Sequence, residues 1–458
     1  MITDFVSRRT TAARPCSCPL PLPCECSYAA LLRARVRAVT RRTAGEPLLR
    51  NGHILAASAV LSAALGSLFW IFATRWYSAE TVGTSYAALS VAALMSGVGR
   101  FNLGDVLVRF VPRAGRHTRR LVLRCYAISG GLSALAACGF LLLIPVVAPS
   151  LDFLRSPLLA VAFVVATAGY SIFDLQDGAL TGLRRTGWVL GENMLFAAAK
   201  AAALAVCAAL AVGTGILTSW AVALLLSIVV TNSVLFRRAI PAHQRADRTG
   251  APMPRRLMRY ATADYLGKLA SITTYAVLPL IVLAQLGAAQ NAYYSLAWII
   301  ADTFDIAVFS MGASLVVEGA HRPDRLPELA RRMLRHAGLL VAAATAVVVA
   351  AAPWILGLFG PDYAAHGTPV LRLMAIASLP TVLITVAIDV ARVRRNLRRL
   401  IGLQVAHCVL VIGLTAVLLP VYGLTGVGLA WLLACCAVAV PLLLTMPRWM
   451  KAPERRTA

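Results

Sequence analysis

The chain is 458 residues long, 59% apolar and only 14% charged, with a mean hydropathy of +0.75, a balance foreign to soluble globular domains. Its formal net charge is +25, yet the positive residues lie between apolar stretches instead of along one solvated face. That placement excludes nucleic acid as a partner and reads as membrane topology with attraction to anionic membrane lipids.

Residues 1–50 form a basic tail carrying Pro15, Pro19, Pro21 and Pro23. Cys16 and Cys18, then Cys24 and Cys26, make two thiol pairs there, but no His accompanies them and the prolines oppose a packed zinc knuckle. The expectation is a disordered cytoplasmic tail without metal. It holds no apolar core with a cleavage site, so the first spanning helix must direct insertion. A helix needs about 20 apolar residues to cross the hydrocarbon. On that rule twelve spans follow, at 52–77, 82–111, 121–148, 157–181, 191–212, 216–236, 260–286, 291–317, 337–359, 368–391, 400–419 and 424–446. The basic, proline-bearing stretch 237–257 separates two six-helix sets, 51–236 and 258–446, and 447–458 is a second tail. The fold class is all-α, a polytopic membrane protein. Trp70, Trp76 and Tyr77 are expected at an outer interface and Trp188 and Trp449 at inner ones. Cys125, Cys138, Cys207, Cys408, Cys435 and Cys436 fall in or beside spans and read as small hydrophobes.

Charge sets the orientation. Of 41 Arg and 3 Lys, only Arg75 and Arg155 lie by the connections after Tyr77, Pro149, Val212, Gly287, Gly360 and Pro420. The alternate connections hold Arg113 to Arg124, Arg184 with Arg185, Arg237 to Arg259, Arg322 to Arg335 and Arg392 to Arg399. Basic residues accumulate on the cytoplasmic side, so both termini are expected there. The two halves also look like copies. At an offset of 209 residues, 75–83 leads into the second span as 284–292 leads into the eighth, and 116–121 overlies 325–330. An offset of 210 lays Arg184-Arg185 on Arg394-Arg395. Halves that both start inside are parallel repeats about an axis along the membrane normal, with a central cavity between them.

Charges far inside the spans are the candidate functional residues, because a charge at that depth must face protein or a wet cavity. Lys200 sits in the fifth span. Lys268 is in the seventh, with Asp264 one turn before it, and Asp302 and Asp305 share a face of the eighth. One reading makes them ion pairs that fix helix packing. The other has Lys200 and Lys268 holding an anionic head group while Asp264, Asp302 and Asp305 exchange a coupling cation. Asp174, Asp177 and Glu192, near the inner end of the fourth and fifth spans, are inner-gate candidates expected to pair with Arg184 and Arg185. Asp389 is expected to face Arg392 and Arg394. Gly97, Gly99, Gly104 and Pro112 predict an irregular end to the second span, where Arg109 either reaches a phosphate or snorkels to the headgroups. Neither Gly97-Val-Gly99 nor Gly426-Val-Gly428 has the third glycine of a nucleotide loop, and no His pair has metal spacing. No cofactor is implied, and energy is expected from an ion gradient or the membrane potential.

The run Gly66-Ser-Leu-Phe-Trp-Ile-Phe-Ala-Thr-Arg-Trp-Tyr-Ser-Ala-Glu-Thr-Val-Gly83, with Ala88-Leu-Ser90 and Asn102-Leu-Gly-Asp-Val-Leu-Val-Arg-Phe-Val-Pro112, resembles the opening of polysaccharide-biosynthesis flippases. These are part of the multidrug/oligosaccharidyl-lipid/polysaccharide exporter superfamily. Phe173-Asp-Leu-Gln-Asp-Gly-Ala-Leu-Thr-Gly-Leu-Arg-Arg185, followed by Trp188, Glu192-Asn193 and Lys200, is similar to a lipopolysaccharide-biosynthesis subgroup. The resemblance implies a V-shaped pair of six-helix bundles in a bacterial inner membrane. It implies a polyprenyl-pyrophosphate-linked oligosaccharide turned from the inner to the outer leaflet by alternating access, with basic residues such as Lys200 and Lys268 neutralising the pyrophosphate. A polysaccharide polymerase and glycosyltransferases of the same pathway would be its partners. The first span lacks the acidic residue often used by the multidrug branch, which weighs against copying its drug/cation antiport. Ion-coupled multidrug efflux is nevertheless the alternative. A glycan polymerase or ligase would need a sizeable outer loop, and the outer connections here are about ten residues or shorter, so the chain is not expected to be an enzyme.

Overall fold

Described by a computed structural model are residues 66–246 and 265–450; the tail with its cysteine pairs, Asp264 and the extreme C-terminus lie outside these. Helix α1 occupies 66–76. Ser78 then accepts the Thr81 amide at 3.2 Å and caps α2 (Ala79–Arg100), satisfying one of the free amides of a helix start. Phe101 and Asn102 follow, both left-handed with φ of 43° and 58°. Two such residues cannot continue a right-handed helix, so α3 (Leu103–Ala114) starts afresh. It buries Leu103, Val106, Leu107 and Val111 while Asp105, Val108 and Arg109 stay exposed. Then come α4 (Thr118–Val147), α5 (Pro157–Gly182), α6 (Thr186–Ala209) and α7 (Gly215–Val234), the last running through a π turn into α8 (Ile240–Ala246). The second half holds α9 (Tyr265–Leu286), α10 (Ala288–His321), α11 (Leu326–Gly357), α12 (Pro361–Val393), α13 (Leu397–Tyr422), α14 (Leu424–Leu444) and the short α15 (Met446–Trp449).

The protein is thus an all-α polytopic membrane protein. Ten helical runs among the described residues are long and apolar enough to cross a membrane. The remaining two expected spans fall on α1 and the 34-residue α10. Some expectations need adjustment. The second span stops at Arg100 instead of 111, because the left-handed pair ends it. Residues up to Ala246 extend the sixth span helically instead of opening a linker. Trp70 is 8% exposed and packs on Phe69 and Tyr86, and Trp449 is 3% exposed and donates to the Leu442 carbonyl. Both are buried against protein.

The two halves meet along α2, which packs on α4 and α5 in its own half and on α9 and α10 in the other. At the tightest crossing a Cβ on Gly83 would collide with the Ala288 carbonyl and lie 2.9 Å from the Ala292 amide nitrogen. Asn291 donates to the Gly83 carbonyl at 2.8 Å. Gly83 and Ala292 are 209 residues apart, so equivalent positions of the two halves touch, as contacts about a two-fold axis must. Helix starts repeat the same spacing: Ala79 with Ala288, and Gly215 with Leu424. Arg184 and Arg395 are both left-handed, with φ of 58° and 56°. Both close the same turn, Arg185 N–H to Leu180 O and Asn396 N–H to Ala391 O, each 2.9 Å. The turns correspond at 211 residues, one more than the sequence offset there. The symmetry fails at the break after α2. The counterpart of Phe101-Asn102 at the 209 offset, Ser310-Met311, lies inside an uninterrupted α10.

Candidate functional site: a polar cavity at the break in α2

The break opens a cavity of ≈ 350 Å³ walled by the end of α2, α3, α5 and α9. Its polar walls carry Arg100, Asn102, Asp105, Asp174, Asp177 and Lys268. Close approach of α3 to α5 makes this possible: a Cβ on Gly178 would stand 2.8 Å from the Gly104 carbonyl oxygen. Lys268 reaches across from the second half and donates from Nζ to Asn102 Oδ1 at 2.6 Å and to Asp105. Arg100 Nη1 lies 2.7 Å from Asp174 Oδ2. Tyr265, one turn before Lys268, donates to the Val98 carbonyl at 2.7 Å and packs against Phe101 with the rings tilted, 4.5 Å between centroids. So the left-handed pair is held from both sides by α9. Farther along the same two helices, α2 and α9 with α4 line an apolar groove of ≈ 360 Å³, including Val91, Leu94, Phe140 and Ile281.

Of the sequence candidates, Lys268, Asp174 and Asp177 line the cavity together. Asp174 pairs with Arg100 instead of Arg184 or Arg185, which are exposed on their turn. Glu192 is 2% exposed, and neither of its oxygens has a hydrogen-bond partner; it pairs with neither turn arginine. Lys200 lies elsewhere in the first half. Its ammonium stands 4.4 Å from the Phe69 ring centroid and 5.2 Å from that of Phe196, a cation–π setting. Phe196 in turn meets Phe173 and Trp220. Arg109 is exposed on α3 and stacks over Phe110 at 5.8 Å. Asp302 is half-buried on α10, in electrostatic range of the Tyr86 and Tyr294 hydroxyls. Asp305 lies on the same helix, its side chain outside what is described. Asp389 does meet Arg392, at 3.0 Å. The pairings Arg100–Asp174 and Lys268–Asp105 escaped the sequence reading because the residues in each pair come from different helices.

Compared with known proteins, the chain matches no family model and none of the curated proteins. Solved structures do match. An inward-facing multidrug resistance MATE family transporter of the MOP superfamily superimposes with a TM-score of 0.64 at 14% identity, covering 87% of this chain and 96% of that one. The fold is that of the MOP transporters. A MOP superfamily transporter from Pyrococcus furiosus, described by a binding pocket of reversed polarity, gives 0.62 at 15% identity over 89% and 96% of the two chains. An outward-facing MATE structure gives 0.58 at 14% identity over 87% and 95%.

Proposed function

We propose that this chain is an exporter of amphipathic compounds working by alternating access, its halves rocking about the α2–α10 seam. The observation that carries the reading is the pairing of a charged cavity with an apolar groove along the same two helices, α2 and α9, where the halves meet. A charged head fits the first and an apolar body the second. Three carboxylates, Asp105, Asp174 and Asp177, outnumber the cations Arg100 and Lys268 on the cavity wall, which favours a cargo of net positive charge. The multidrug MATE structures of the same fold support this choice. In this reading the protein lies in a bacterial inner membrane with both termini cytoplasmic, the basic connections facing the cytoplasm.

A second reading, turnover of a polyprenyl-pyrophosphate-linked oligosaccharide during cell-surface polysaccharide biosynthesis, is favoured by Lys200 and Lys268. Pyrophosphate could take over Lys268 from Asp105, and polymerase and glycosyltransferases would be the partners. Proteoliposomes separate the two. Uptake of a fluorescent amphipathic cation that collapses in Asp174→Asn supports the first; turnover of a labelled lipid-linked sugar with no cation transport replaces it with the second.

A further inference from the structure

Pro353 lies inside α11. Its ring nitrogen carries no hydrogen, so the carbonyl of Val349, one turn back, has no partner within the helix. Arg372 of α12 supplies one: its Nε donates to the Val349 oxygen at 3.0 Å. Among the described residues neither Nη of Arg372 has a hydrogen-bond or ionic partner. The guanidinium is thus pinned at one edge with its other donors unspent. Arg372 is exposed, and Pro369, Ile376 and Leu379 are exposed with it at intervals of three or four, one stripe along α12. Thr381, nine residues on and so on the opposite side at 100° per residue, lies 3.5 Å from Cys435 Sγ of α14. The stripe therefore points away from the interior of its half, toward lipid. Depth follows from α12 itself. Twenty residues separate Arg372 from Arg392, about 30 Å of helix, the thickness of the hydrocarbon. With Arg392 at one boundary, Arg372 stands at the other, in the leaflet opposite the basic connections. Trp354, 75% exposed and five residues beyond Val349 on α11, lies about 8 Å farther out, at the level that interfacial tryptophans take.

We propose that Arg372 binds the phosphate of one anionic phospholipid, whose acyl chains lie along Ile376 and Leu379. A guanidinium meets two phosphate oxygens through a pair of parallel N–H bonds. Nε is spent on Val349, so Nη1 and Nη2 supply that pair. A cation on a lipid-facing surface calls for an anion beside it, and among the described residues no carboxylate provides one. The match is a lipid of net negative charge. A free phosphate ion gains nothing from the apolar stripe, whereas a lipid covers it. The site does not depend on which cargo the central cavity takes.

Native mass spectrometry of the purified full-length protein, titrated with phosphatidylglycerol, counts the lipids it retains. The wild type should keep one phosphatidylglycerol that Arg372→Gln binds about tenfold more weakly. Pro353→Ala, which returns the Val349 carbonyl to its own helix and unpins the arginine, should fall between the two. Equal retention by the wild type and Arg372→Gln overturns the site. So does equal retention of phosphatidylcholine, and so does displacement of the lipid by inorganic phosphate at the same concentration. If the glutamine variant does not fold, Arg372→Lys decides: it keeps the charge but not the paired donors, and retention equal to wild type overturns the proposal.

Discussion

Asn102 holds a left-handed backbone and accepts from Lys268 through its side chain. Asn and Gly visit this region readily, whereas other residues lose about 1–2 kcal/mol there. Asn102→Gly should therefore melt close to wild type in detergent, and Asn102→Val several degrees lower; equal melting points would mean the hinge carries no strain. Arg100 and Asp174 are both partly exposed, at 33% and 24% of their side chains, so screening tempers their attraction. A double-mutant cycle with Arg100→Ala and Asp174→Ala should return a coupling of about 1 kcal/mol. The charged residues themselves are visible in the sequence. Their partners are not, because each pair joins residues of different helices, α2 with α5 for Arg100–Asp174 and α3 with α9 for Lys268–Asp105.

Among the elements, α3 shows what spacing reveals and what it hides. Leu103, Val106, Leu107 and Val111 recur at helical intervals and fall on the face packed against α5, a pattern readable in advance. The end of the preceding helix is less so: Gly97, Gly99 and Gly104 advertise irregularity, yet the turn falls on Phe101 and Asn102. Leu107 is 0% exposed and Val108 41%. Leu107→Ala should cost about 2–5 kcal/mol and Val108→Ala under about 0.5 kcal/mol, measured by thermal melting of the solubilised protein. Similar losses at both positions would show that α3 is not packed as described.

The whole molecule was legible as an all-α membrane protein with a two-fold repetition, since hydropathy and the spacing of Arg clusters record both; of the twelve expected spans, ten are long and apolar enough among the described residues. What hydropathy could not record is the departure from symmetry at 101–102, where one half is broken and the other is not, and that departure is where the cavity lies. Gly83 tests the join. A valine there meets the backbone of Ala288 and Ala292 with nowhere to yield, so Gly83→Val should cost about 1–3 kcal/mol and abolish transport. Unchanged melting would contradict the close approach. Lys200→Ala and Lys268→Ala should each slow transport while leaving the yield of inserted protein intact, Lys268→Ala more so because Lys268 reaches from the second half to Asn102 and Asp105 of the first. Full activity in both would remove the lysines from the mechanism.

The crossing at Gly83 is far from the middle of α2. Seventeen residues separate it from Arg100, about 25 Å of helix at 1.5 Å per residue. A pivot placed so near one end acts as a lever: a tilt of about 10° that barely stirs the contact of Gly83 with Ala292 carries Arg100 and its surroundings sideways by about 4 Å. Beyond the short arm, at the end of α1, Arg75 donates across the halves to the Leu358 carbonyl at 3.1 Å, and so ties the halves together on the side of the pivot away from Arg100.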